Sequence, residues 1–189
     1  MNSILPFDEL NSFTLRLRSM FPDGTLPNKR EDPEAYEDIL DEMFDLFLLA
    51  YATGSSVTNM NLDFDWTPTE DDAIDVVDKE IAGKTWRKRT EEYFENGGTV
   101  DDLIRIAETE THRDANEAAL VTAKKAGKKF KTWQTMMDDK VRDLHEPLEG
   151  ISIPINDDFY TWDGDHGQAP GMFGSAENNV NCRCELIFS

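Results

Sequence analysis

The sequence predicts an α+β fold: N-terminal helices and an antiparallel helical pair, followed by a small, loop-rich C-terminal module that contains β-strands. Three observations carry this expectation. Apolar residues recur at three- and four-residue steps in long runs up to Gly127, with capping residues before the runs and glycines after them. Beyond Gly127 the periodicity changes to short extended pieces, KKFKTWQT, ISIPI and CRCELIF. Residues 156–181 are rich in Gly, Pro, Asp and Asn, the composition of loop. Helices followed by strands, without alternation, give the α+β class.

Each element follows from local chemistry. Residues 7–20 (FDELNSFTLRLRSM) form a first short helix with Asp8 near its start, and the three prolines and a glycine of residues 21–33 make a loop. The run PEAYEDILDEMFDLFLLAYATG is a helix. Pro33 suits its first turn, Glu34, Glu37 and Asp38 favour its positive end, and Gly54 suits its exit. Ile39, Met43, Phe44, Phe47 and Leu48 form its apolar face. Residues 54–66 then read as extended, because Leu62, Phe64 and Trp66 alternate with Asp63 and Asp65, a pattern for an edge strand or an arm laid on a partner. Thr67 or Thr69 caps the next helix, Gly83 marks a break in it, and Gly97-Gly98 ends it. Thr99 caps another helix that stops at Gly127, and the double-glycine turn makes the two antiparallel. DDKVRDLHEPLEG is a short helical turn ended by Pro147 and Gly150.

The chain of 189 residues carries 39 acidic and 19 basic residues, a net charge of −20. Such a molecule repels nucleic-acid backbones, and its acid excess would suit a basic partner or a high-salt solvent. The charge is uneven: residues 1–80 carry a net −14, residues 81–132 a net +2 and residues 133–189 a net −8. The basic band, from Lys84 to Arg89 and from Lys124 to Lys131, balances acidic neighbours or touches nucleic acid. Met1 to Phe21 lacks the basic start and long apolar stretch of a signal peptide. The most apolar run, Leu46–Ala52, is far below the roughly 20 residues that span a membrane, so a soluble protein is expected.

Two cysteines, Cys182 and Cys184, exclude a disulfide framework. A bond between them would close a very small strained ring, which leaves free thiols or metal ligands. Alternation in CRCELIF turns both cysteines to one face and Arg183 to the other, where Asp138, Asp139 or Glu110 would be its partner. His112 and Asn116 share one face of their helix, and Glu110 lies around from them. Asp163, Asp165 and His166 in a Gly-rich loop read as a solvated turn, with calcium binding as the sharper alternative. No phosphate loop, H-E-x-x-H or G-x-S-x-G occurs.

Several motifs in order resemble the phage Mu F-like head-morphogenesis family. IAETETHRDANEAAL resembles its helical signature, here Glu110, His112 and Asn116. KTWQT supplies a strand with Trp133. DDKVRDLHEPLEG resembles its Asp, Arg, His and Gly pattern, here Asp138, Arg142, His145 and Gly150. NVNCRC, with Asn181, Cys182, Arg183 and Cys184, closes the series after a loop containing DDFY and a proline. The resemblance covers residues 76–189 and divides the chain there, leaving 1–75 as an acidic helical N-terminal region with an extended arm.

The resemblance implies a minor head protein in the virion, present in few copies, assembled in the host cytoplasm and associated with the portal or major capsid protein, with a homo-oligomeric ring as one form. It implies no enzyme, no membrane and no cofactor. Residues 1–75, through LFLLAYA and LDFDW, would dock on the partner. Relatives carry Cys-x-x-Cys where this chain has Arg142 to His145, and a His where it has Asn179. A structural zinc would therefore rest on His145, Cys182 and Cys184, with Asp138 or His166 as fourth ligand. The alternatives are a metal-dependent hydrolase using His145 and Cys182, and an acidic interaction protein.

Overall fold

A computed structural model describes residues 5–189. Five helices come first: α1 (Phe7–Met20), α2 (Pro33–Leu62), α3 (Glu70–Val77), α4 (Trp86–Asn96) and α5 (Val100–Lys125). Then follow β1 (Phe130–Gln134), a short helical turn (Glu146–Leu148), β2 (Ser152–Pro154), β3 (Phe159–Tyr160), β4 (His166–Gly167), α6 (Ala176–Asn179) and β5 (Glu185–Phe188). The architecture is α+β, as the sequence predicts.

The helix starts are those expected from capping chemistry. The Asp32 side chain accepts from Ala35 N at 3.1 Å, with Pro33 in the first turn of α2. Thr69 with Asp72, and Thr99 with Asp102, form capping boxes on α3 and α5, each satisfying two N–H groups that the helix cannot. The break at Gly83 is real. Ala82 and Gly83 have φ of 51° and 77°, and Thr85 caps α4 afresh. Gly97, at φ 75°, ends α4 in the left-handed conformation that glycine adopts without steric cost.

Residues 54–66 differ from expectation. Helix α2 does not exit at Gly54 but continues to Leu62 and ends at Asp63 in the left-handed region. Gly54 serves close packing instead: a Cβ there would sit 2.3 Å from the carbonyl oxygen of Ala115 in α5. Beyond it no strand forms. Phe64 N donates to Asn59 O, Asn59 Nδ2 donates to Trp66 O at 2.6 Å, and Lys125 lies 5.0 Å over the Trp66 ring. The segment is folded back on α2 and α5. Most of LFLLAYA is likewise internal, with Leu46, Phe47, Ala50 and Tyr51 buried while Leu49 and Ala52 face outward.

Helix α5 is the centre of the molecule. Every residue from Glu110 to Leu120 is buried. Helix α2 makes its longest contact, α1, α3 and α4 pack on it, and β5 crosses its C-terminal half. Its antiparallel neighbour α4 is therefore a lesser partner than α2. One core joins Phe13, Leu17, Ile39, Phe47, Phe94 and Leu103, with Phe47 and Trp86 edge to face at 5.1 Å. This core runs across residue 75, which itself lies within α3.

The C-terminal end holds an antiparallel sheet in the order β2-β1-β5, with Trp133 opposite Leu186 and Lys131 opposite Ile153. β3 and β4 form a separate small hairpin. The ladder of β5 begins only at Glu185, so the cysteines precede the strand proper.

Replacing Gly54 with Ala should push α2 off α5. Overpacking of this kind costs roughly 1–3 kcal/mol. Thermal unfolding should fall by about 2–4 °C per kcal/mol. An unchanged Tm would show that the two backbones are not in close contact.

Candidate functional site

Two polar assemblies are built around α5, one on each side. The first contains His145, Cys182 and Cys184. His145 Nδ1 lies 3.6 Å from Cys182 Sγ and 3.7 Å from Cys184 Sγ, and all three residues are buried. The local chain dictates this meeting. His145 is fixed by its N–H to Arg142 O at 2.9 Å and by Leu148 N–H to its own carbonyl at 3.0 Å. Its ring stands edge-on to Trp133 at 5.4 Å and stacks on Phe173 at 5.6 Å. Gly150, at φ 70°, turns the chain into β2 and donates its N–H to Trp133 O.

On the other segment, Asn181 takes φ 57° and starts the lead-in to β5. Arg183 points outward and grips Asp138 with two hydrogen bonds of 2.6 and 2.8 Å, which fixes the register that turns both thiols inward. Asp138 is thus the partner of Arg183; Asp139 and Glu110 are not. The neighbouring Cys184 thiol and His145 hold the Cys182 thiol well below its ordinary range, while Cys184 is raised by Cys182 and by burial. Behind them, Asn116 Nδ2 lies 3.2 Å from His112 Nε2 and 3.4 Å from Cys184 O, tying α5 to the C-terminal segment. Burial lowers the pKa of His112.

The expected fourth ligands are elsewhere. Asp138 is engaged by Arg183. His166, on β4, is exposed, with Nδ1 2.8 Å from Asp158 Oδ2 and its ring stacked on Tyr160. Asp163 and Asp165 serve as loop staples: Asp165 accepts from the backbone of His166, Gly174 and Ser175 and from Asn178 Nδ2. A crevice of about 10 Å³, bordered by Met136, Arg142 and Asn181, touches the trio. That is about the room for one water, far below the ~300–1,000 Å³ of a substrate pocket.

The second assembly is a buried charge network that holds Glu110. Its Oε2 accepts from Arg113 Nε at 2.7 Å and its Oε1 from Arg89 Nη1 at 2.5 Å. Arg113 is 1% exposed and also meets Asp114, Glu117 and the carbonyl oxygens of Val76 and Val77. Glu110 was singled out in the sequence but Arg113 was not, although a carboxylate three residues before it and another four residues after it signal such a network. Lys131 was also missed as a buried group. Its Nζ donates to Gln168 O at 2.7 Å, and burial pulls its pKa down to about 8. Between α4, α5 and residues 171–180 lies a groove of about 490 Å³, where Lys84 pairs with Glu92 and Arg89 with Glu110.

With this geometry in place, comparison with known proteins is direct. A family model, "Phage Mu protein F like protein", matches residues 74–187, from within α3 into β5. The chain belongs to this family. It is 35% identical over 85 residues to "Minor head protein GP7" of Bacillus phage SPP1, covering 43% of this chain and 28% of that one. It is 32% identical over 97 residues to "NAD(+)--arginine ADP-ribosyltransferase EFV" of Enterococcus faecalis, covering 49% of this chain and 20% of that one. The chain thus spans about a quarter and a fifth of the lengths of these relatives. No solved structure matches.

Two measurements check the Mu F-like charge network. Arg113→Ala strands buried carboxylates and should cost about 3–5 kcal/mol in urea unfolding. Asp114 is fully buried and without an aligned hydrogen bond. Burial raises its pKa, with Arg113 opposing. A raised folded-state pKa gives a stabilising contribution that is full below about pH 3.9 and is lost as pH rises through the folded value. The stability of Asp114→Asn relative to the native chain should therefore increase between pH 4 and 8. A difference that stays flat or shrinks contradicts the assignment.

Proposed function

We propose that this chain is a minor head protein of a tailed phage, one that docks on the portal or the inner capsid surface and acts by shape and contact, not by catalysis. The observation that carries this reading is the Mu F-like match over the whole span from α3 to β5, together with the likeness to the SPP1 minor head protein. On this reading the chain sits in the virion head after assembly in the host cytoplasm, and a ring of copies is the arrangement that suits a portal.

The geometry supports a contact protein. The thiol-imidazole trio opens only onto a crevice of about 10 Å³, which leaves a hydrolase no substrate space beside His145 and Cys182. The first cluster of the basic band is already paired: Lys84, Arg87, Lys88 and Arg89 each meet a carboxylate. Contact with nucleic acid would therefore be confined to the exposed lysines after α5. No helix among the described residues is long and apolar enough to cross a membrane. Most of LFLLAYA is internal to the fold, so the N-terminal docking surface would chiefly use α1, where Phe7 and Leu15 stand 53% and 69% exposed.

A second reading follows from the Enterococcus relative, an NAD(+)–arginine ADP-ribosyltransferase by name. A purely acidic interaction protein is the third, but it would leave the family match without a purpose.

Quantitative mass spectrometry of purified particles, beside capture of portal and major capsid protein by the tagged full chain, tests the proposal. A few to a few dozen copies per particle with portal or capsid retention are expected, and no release of nicotinamide from NAD. Absence from particles without any capsid partner, or steady NAD consumption, contradicts it.

A further inference from the structure

His145, Cys182 and Cys184 aim three soft donor atoms at one point, and all three atoms lie within 4.8 Å of one another. Zinc binds thiolate sulfur at about 2.3 Å and imidazole nitrogen at about 2.0–2.1 Å in a tetrahedron. Those lengths set neighbouring nitrogen and sulfur about 3.5 Å apart. The two observed separations, 3.6 and 3.7 Å, are close to that edge.

We propose that His145 Nδ1, Cys182 Sγ and Cys184 Sγ hold a zinc ion, with a water in the crevice beside Met136, Arg142 and Asn181 as the fourth ligand. Two thiolates and an imidazole are the donor set of a tetrahedral thiophilic cation, not of calcium or magnesium. The ion's charge balances two buried thiolates. The crevice of about 10 Å³ holds about one water, so no fourth side chain is needed and neither Asp138 nor His166 takes part.

The surroundings hold the donors in place before any metal arrives. Trp133 and Phe173 fix the imidazole plane, and His145 Nε2 has no hydrogen-bond partner among the described residues, so the thiols are the ring's polar contacts there. The Arg183–Asp138 pair locks the cysteine segment. The ligands come from two distant segments, the turn before β2 and the lead-in to β5. A bound ion therefore clasps the loop-rich end beside a small local core of Trp133, Leu148, Phe159, Phe173 and the cysteines themselves, with Ile153 and Leu186 packed against it. Coupling metal to folding in this way is typical of small, loop-rich modules. The inference stands whether or not the chain docks on a portal.

Cobalt(II) titrated into the chelator-treated full chain is the test. Sulfur-to-cobalt charge-transfer absorption and the intense visible bands of tetrahedral cobalt are expected, both bleached by equimolar zinc. Elemental analysis should give one zinc per chain, and the Tm should fall on chelation. Cys182→Ser and Cys184→Ser should each weaken cobalt binding by more than about a hundredfold, beyond the ~10–100-fold that loss of a supporting residue costs. His166→Ala should bind like the native chain. Should the serine variants fail to fold, the native chain's cobalt spectrum decides alone. A weak octahedral spectrum, or thiols that react with a disulfide reagent equally fast with and without zinc, would overturn the proposal and leave a thiol pair hydrogen-bonded to a histidine.

Discussion

Helix α2 meets α5 at backbone distance, and the rest of the structure depends on that approach. Gly54 permits it: with no side chain, it lets Ala115 come so near that a Cβ would overlap the carbonyl oxygen. The consequence is a helix enclosed on all sides from Glu110 to Leu120. A side chain on such a helix has no solvent to turn to, so every polar group on it must find a partner within the protein or carry a desolvation cost. This explains why α5, though rich in charge, is the core of the molecule. Arg113 collects Glu110, Asp114 and Glu117 on one side, Asn116 reaches His112 and Cys184 O on another, and Thr122 donates to Ser55 across the α2 contact.

That enclosure joins the two ends of the chain. α1 and α2 cover one flank of α5, and β5 with the thiol segment covers another. The helical half and the loop-rich half therefore share a frame, although the family match begins only at residue 74. The thiol-imidazole trio inherits its geometry from the same frame, since Asn116 fixes the Cys184 carbonyl while Trp133 and Phe173 fix the His145 ring. A site placed on rigid elements in this way keeps its donors aligned without needing a long loop to close over it.

Signals that are local were legible in the sequence. Thr69, Thr99, Pro33, Gly97 and Gly83 act through bonds to residues a few positions away, and each helix boundary they imply is present. The inward turn of Cys182 and Cys184, the outward turn of Arg183 and the shared face of His112 and Asn116 are those expected from strand and helix periods, whereas the choice of Asp138 over Asp139 and Glu110 as the partner of Arg183 needed the structure. What failed was long-range. Gly54 was read as an exit because glycine commonly ends helices, while its real reason is a backbone 61 residues further along the chain. The alternation at Leu62, Phe64 and Trp66 imitated a strand, but the segment had α2 and Lys125 to fold against and no strand to pair with. His166 shared a residue type with the ligand set but not a position, since the β3–β4 hairpin carries it to the surface.

In this Mu F-like chain the charged side chains of the central helix are paired within the protein, Arg113 with Glu110, Asp114 and Glu117. The central claim is that α5 forms one cooperative frame for both halves. Native-state hydrogen exchange of the full chain, read by mass spectrometry, tests this most directly. The account predicts that amides of residues 110–120 exchange last, together with the middle of α2 and with β1, all through global unfolding. If the C-terminal segment and β1 open at a clearly lower free energy than α5, or if α5 itself exchanges early, the shared frame does not exist.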